Sequence, residues 1–110
     1  MTNLTIANTI LEQLGGNKFV AMTGAYNFIP LESGLRMNLR KNSSVANRLE
    51  ITLEPWDTYT MKFYRYSVHR LTMEESVKIT AEYEDVYFDQ LQEFFTQATG
   101  MYTSLGTLGR

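Results

Sequence analysis

Three segments of this chain alternate apolar and polar residues one for one, and a period of two constrains them to half-buried strands. In GLRMNLRKN (residues 34–42), Leu35, Met37 and Leu39 alternate with Arg36, Asn38 and Arg40. In RLEITLE (48–54), Leu49, Ile51 and Leu53 alternate with Arg48, Glu50, Thr52 and Glu54. In TYTMKFYRYSV (58–68), Tyr59, Met61 and Phe63 take the inward phase; Thr60, Lys62, Tyr64 and Tyr66 take the outward one. Successive side chains of a strand point to opposite faces, so each segment needs a core on one side and solvent on the other. Asn42-Ser43-Ser44 and Pro55-Trp56-Asp57 supply the loop and turn between them. SVKITAEY (76–83) alternates again through Val77, Ile79, Ala81 and Tyr83 and predicts a further strand, with a bend expected over 65–70.

Helical periodicity brackets this region. Over residues 3–14, Ile6, Ile10, Leu11 and Leu14 form one narrow apolar stripe, with Asn3 as candidate N-cap and Gly15 as the residue after the helix. Near the other end, Asp85 reads as an N-cap and residues 86–99 as a helix, with Leu91, Phe94, Phe95 and Ala98, and Tyr87 or Phe88 a turn earlier, on its apolar face and Gly100 closing it. Between the first helix and the alternating strands lies GGNKFVAMTGA (15–25). From residue 18 to 25 both phases are largely apolar, so a first strand is expected there, covered on both faces or central with its small residues toward a helix, with Gly24 at a bulge or a close backbone approach. The expected fold is a single α+β domain over residues 1–110, in the order α-β-β-β-β-β-α. A mainly antiparallel sheet of four or five strands carries two helices on one face, and the tail frays beyond Leu105.

A chain of 110 residues with 44% hydrophobic residues can build a core without staples, and it has no cysteine with which to make one. The first ten residues lack the basic and apolar regions of a signal peptide, and no apolar run reaches membrane-spanning length. Net charge is −2, split as +3 over residues 1–70 (eight Lys/Arg, five Asp/Glu) and −5 over 71–110 (two against seven). No phosphate loop, dinucleotide fingerprint or Gly-x-Ser-x-Gly elbow is present, so no cofactor is expected and the chain reads as non-enzymatic. The one histidine, His69, sits at a strand end, where a lone imidazole is ordinarily an edge residue. The glycines of 15–25 precede a strand instead of following one, so helix capping and a bulge explain them better than phosphate binding.

ANTILEQLGGNKFVAMTGAYNF, the strand pair around ITLEPWDTY, and VYFDQLQEFFTQATGMYTSL together resemble a family of small uncharacterised proteins of tailed phages and related bacterial mobile elements. The resemblance covers nearly the whole chain and is densest at 15–28 and 86–105. The family carries lysine after its Met-Thr-Gly-Ala segment, where this chain has Tyr26, so no role of that lysine carries over. The resemblance implies a setting, a phage or mobile element in the cytoplasm of a bacterial host, and not a mechanism.

Two residue sets remain as candidates. Asp85, Asp89 and Glu93 recur at every fourth position, which on a helix is one face; they would hold Mg²⁺ or repel nucleic acid, or, as favoured here, form a solvated stripe. Glu54 and Asp57 flank a turn and need no catalytic role. Arg36, Arg40, Arg48, Lys62, Tyr64 and Tyr66 fall on the sheet face away from the helices. Arginine beside exposed tyrosine suits a protein hot spot and also the stacking of bases, while cross-strand Arg–Glu pairs with Glu50 would merely stabilise the sheet. The expected partner is a protein or a second copy of the chain, with nucleic acid as the alternative.

Overall fold

The structure, a computed structural model, describes residues 3–103. The Asn3 cap and the tail beyond Leu105 lie outside the described residues and side chains. A first helix, α1 (Asn3–Leu14), leads into a second, α2 (Asn17–Thr23). Five strands follow: β1 (Tyr26–Leu31), β2 (Gly34–Asn38), β3 (Arg48–Leu53), β4 (Tyr59–Val68) and β5 (Glu75–Val86). A 3-10 turn (Phe88–Gln90) then opens α3 (Leu91–Thr99). Every strand pairs antiparallel with its neighbour in sequence, in the order β1-β2-β3-β4-β5. The helices lie on one face, and the shortest dimension of 22 Å is that of two layers.

The alternation reads through directly into the core. Leu35, Met37, Leu49, Ile51, Met61 and Phe63 are all buried, facing Ile10 and Leu14 of α1 and Leu91 and Phe95 of α3. Met37 pairs with Leu49 and Leu49 with Phe63, so each apolar residue meets another across the strands. The Asn42 loop is held by its own side chain, whose Nδ2 donates to the carbonyls of Arg40 and Ala46. Ser43 Oγ then donates to the Thr99 carbonyl at 2.8 Å and ties that loop to the end of α3.

Residues 18–25 do not form the expected first strand. They belong to α2, and the sheet begins at Tyr26. The buried pair Phe19 and Thr23 is spaced by four, the helical interval, while Ala21 between them is exposed. Where both phases of a segment are apolar, a period of two carries no information, and the decisive signal was the ending. Gly24 is not at a bulge but takes the left-handed conformation at φ 71° and donates its N–H to the Val20 carbonyl, terminating the helix. Thr23 Oγ1 donates to the Phe19 carbonyl at 2.7 Å and accepts from Ala25 N at 3.2 Å. The same device ends α3: Gly100 at φ 76° donates to Thr96, and Thr99 Oγ1 donates to the Phe95 carbonyl and accepts from Met101 N. Both helices therefore close on Phe-x-x-x-Thr-Gly.

Two further expectations change. Ala81 and Tyr83 face the helix layer, but Val77 and Ile79 do not. The register slips where Phe63 opposes Ala81 while Tyr64 opposes Ile79, leaving Thr80 unpaired. One extra residue reverses the phase of everything before it in β5, and Val77 and Ile79 come out exposed on the opposite side. Asp85, for its part, caps no helix. It lies in β5 at φ 56°, and its Oδ1 accepts from Trp56 Nε1 at 3.2 Å and Thr58 Oγ1 at 3.4 Å. The helix entry is closed instead by Gln90, whose Oε1 accepts from Tyr87 N, and the α-helix starts only at Leu91: Val86 ends β5, and Tyr87 and Phe88 are exposed instead of joining the apolar face.

Candidate interaction face

The sheet face opposite the helices carries the polar phase of the alternating strands. Across four strands the register aligns Arg36, Glu50, Lys62 and Glu82 in one row, alternating in charge. A second row sets Arg48 opposite Tyr64, and Tyr64 opposite Ile79. Tyr66, two residues on, lies under the Arg48 guanidinium, 4.1 Å from its ring centroid. Five of the six predicted residues, Arg36, Arg48, Lys62, Tyr64 and Tyr66, therefore share this face. Arg40 sits past the end of β2, where its Nε donates to the Gly24 carbonyl at 3.1 Å and its guanidinium stacks on Tyr26 at 4.1 Å. Because Tyr26 pairs with Asn38, that second stack borders the same face.

The tyrosines differ in what they offer. Tyr64 is 5% exposed despite its outward phase, and its hydroxyl donates to Glu50 Oε2 at 2.6 Å. It is a structural member of the face and not a free anchor. Tyr66 is partly exposed; its hydroxyl donates to Glu75 Oε1 at 2.9 Å. Burial pushes the Tyr64 phenol above its ordinary value, with the Glu50 bond acting in the same direction. Tyr59 is raised by burial, with Asp57 adding to it, although the bond to Gln13 opposes the shift. Tyr66 is raised first by its bond to Glu75. In each case the folded chain keeps a proton that the unfolded chain gives up near pH 10.0. Stability from these phenols is complete below that pH and is lost as pH rises through the folded values. The urea midpoint is expected to fall between about pH 9 and about pH 11, and Tyr64→Phe to fall less steeply over that interval. An equal slope in the two proteins would refute the assignment.

Sequence reasoning missed what frames these residues. At the end near the β3–β4 turn, an open groove of about 370 Å³ is lined by Glu50, Glu54, Trp56, Lys62, Glu82 and Glu84. At the other end, a depression of about 720 Å³ is bordered by Arg40, Lys41, Asn42, Val45, Asn47 and Arg65. The two ends of the sheet thus differ in charge, acidic by the β3–β4 turn and basic around the Asn42 loop. Glu82 and Glu84 alternate with the inward Ala81 and Tyr83, and the pairing of Lys62 with Glu82 sets them beside the outward row.

The other candidates are not brought together as a site. Asp85 lies in a strand, Asp89 in the 3-10 turn and Glu93 in α3, so the three share no helix face. No group of His, Cys, Asp or Glu among the described residues is arranged to hold a metal ion. His69 Nδ1 accepts from the backbone N–H of Leu71 at 3.2 Å and of Thr72 at 3.3 Å, shaping the β4–β5 turn. No helix among the described residues is long and apolar enough to cross a membrane. In comparisons with family models, curated proteins and solved structures, nothing matches this chain.

Proposed function

We propose that this chain is a non-enzymatic interaction protein that binds a protein partner through the outer face of its sheet. The cytoplasm of a bacterial host, in a phage or mobile-element context, is the setting that the sequence resemblance implies. The observation that carries the reading is the Arg48–Tyr66 stack beside the alternating row of charges, on a face that no described helix covers. Arginine and tyrosine are enriched among the residues that dominate binding energy at protein interfaces. Charges of alternating sign specify orientation and reject wrong partners. Nucleic acid is the poorer fit. Glu50 and Glu82 interrupt the positive field that a phosphate backbone requires, and one face of both Tyr26 and Tyr66 is already taken by a guanidinium.

The test is affinity capture from host lysate with the wild-type chain and with Arg48→Glu/Tyr66→Ala. A stoichiometric protein partner is expected with the first, bound at least about tenfold more weakly by the second. Equal capture by both would remove the face from the interaction. Retardation of DNA or RNA that weakens steeply with salt, without a protein partner, would replace the reading.

A further inference from the structure

The depression at the Asn42 loop, about 720 Å³ in volume, is lined by three cations and by no carboxylate. Arg40 and Lys41 follow β2 and Arg65 lies on β4, so the charges come from both sides of β3. Each guanidinium is held by a backbone carbonyl. Arg40 Nε donates to the Gly24 carbonyl at 3.1 Å, and Arg65 Nη1 donates to the Val45 carbonyl at 3.2 Å. Both Nη atoms of Arg40, Nη2 of Arg65 and the Lys41 ammonium keep their hydrogens unengaged among the described residues. The amide oxygens of the lining are already occupied: Asn42 Oδ1 accepts from Ser44 N, and Asn47 Oδ1 accepts from Tyr66 N. The free polar groups of these side chains are therefore donors only.

The fold does not relieve this charge. Arg65 stands directly opposite Lys78, a like-charged cross-strand pair that repels. Glu50 and Glu75, the carboxylates that the neighbouring strands bring closest in sequence and register, accept from the hydroxyls of Tyr64 and Tyr66 instead. Glu74 lies further out, in the β4–β5 turn. Val45, whose carbonyl fixes Arg65, has φ 59°, a conformation that a β-branched residue enters only under strain. The loop around it is pinned by the Asn42 side chain and by Ser43 on Thr99, so the strain persists in a fixed frame.

We propose that this depression binds the diphosphate group of a small molecule. A lining that only donates selects a ligand whose oxygens only accept, and ionised phosphoryl oxygens do so. Two phosphoryl groups joined through oxygen present acceptors in two directions, toward Arg40 and Lys41 and toward Arg65. A single planar carboxylate engages one guanidinium and leaves the other bare. The bound anion also screens Arg65 from Lys78 and so removes the repulsion that the empty site carries. Free diphosphate and a nucleoside diphosphate share this chemistry. The site uses neither Arg48 nor Tyr66, so it and the partner-binding face stand or fall separately.

Titration calorimetry with sodium diphosphate, in about 50 mM salt, is expected to give a Kd on the order of 10–100 µM. Arg40→Gln/Arg65→Gln is expected to weaken binding at least about tenfold, while Lys62→Gln, on the charge row of the outer face, binds like wild type. If circular dichroism shows the double variant unfolded, Lys41→Gln/Arg65→Gln takes its place. Adenosine diphosphate binding more tightly than diphosphate identifies a nucleotide as the source of the group. Equal or weaker binding identifies free diphosphate, and either result supports the site. Absence of binding at about 1 mM diphosphate overturns the proposal. Undiminished binding by the double variant, or equal weakening by Lys62→Gln, does the same. So does citrate binding as tightly as diphosphate, since the depression would then select charge and not the phosphoryl group.

Discussion

Replacing Gly34 with alanine is expected to cost about 3 kcal/mol or more and to lower the thermal midpoint by on the order of 10–20 °C. A Cβ at this position would stand 2.1 Å from the Ile51 carbonyl oxygen and 3.0 Å from both the Ile51 carbonyl carbon and the Thr52 Cα. All three atoms are backbone, so no side chain can rotate away. Gly34 opens β2, pairs with both Leu31 and Thr52, and follows Ser33, whose carbonyl accepts from Leu53 N at 2.7 Å. Relief of the collision has to separate β2 from β3 at the point where three strands are joined. Gly16 is the control. Its φ of 61° and ψ of −132° form a backbone conformation that an alanine adopts only under strain, but a Cβ there meets nothing within 4 Å, so Gly16→Ala is expected to cost about 1–3 kcal/mol. Urea titration of the two variants checks the ordering. A Gly34→Ala loss below that of Gly16→Ala would show that the strands separate there at little cost.

Gly34 was an inconspicuous letter in a strand, whereas the glycines of residues 15–25 drew attention, and the contrast marks what a sequence can reveal. Alternation placed β2, β3 and β4 and named most of their buried residues, because one wet face and one dry face leave a period of two in the letters. It failed at α2, a seven-residue helix too short to show a full stripe and apolar in both strand phases. The usable signal lay elsewhere in the chain: FVAMTG ends α2 and FTQATG ends α3, with the same threonine and glycine bonds. The candidate face was legible in part for the same reason. Arg36, Arg48 and Lys62 follow from phase alone. The near burial of Tyr64 does not, because it depends on Glu50 and Ile79 arriving from neighbouring strands. The unpaired Thr80 leaves no mark in composition, and it decides which side of the sheet receives Val77 and Ile79.

Phe95→Ala is expected to destabilise the fold by about 3–5 kcal/mol, the cost of removing a large ring from a core that closes only partly behind it. Phe95 is fully buried, and its ring stands 4.9 Å from that of Phe19, nearly perpendicular at 75°, and 6.0 Å from that of Phe63. It thereby joins α3 to α2 and both to β4. Phe19→Ala removes the other member of the edge-to-face pair and is expected to cost a similar amount. The double variant should lose less than the sum of the two singles, by about 0.5–1.5 kcal/mol, because the ring–ring contact is counted in each. Urea unfolding of the four proteins gives that coupling directly. Simple additivity would mean that α2 and α3 rest on the sheet independently, and the matching Phe-x-x-x-Thr-Gly endings would then be separate caps. A positive coupling makes them one device: each motif stops its helix at the threonine and glycine and sends its phenylalanine into the other's ring. Both rings pack on the helix side of the sheet, so Phe95→Ala, held well below its midpoint, should still engage a partner through Arg48 and Tyr66.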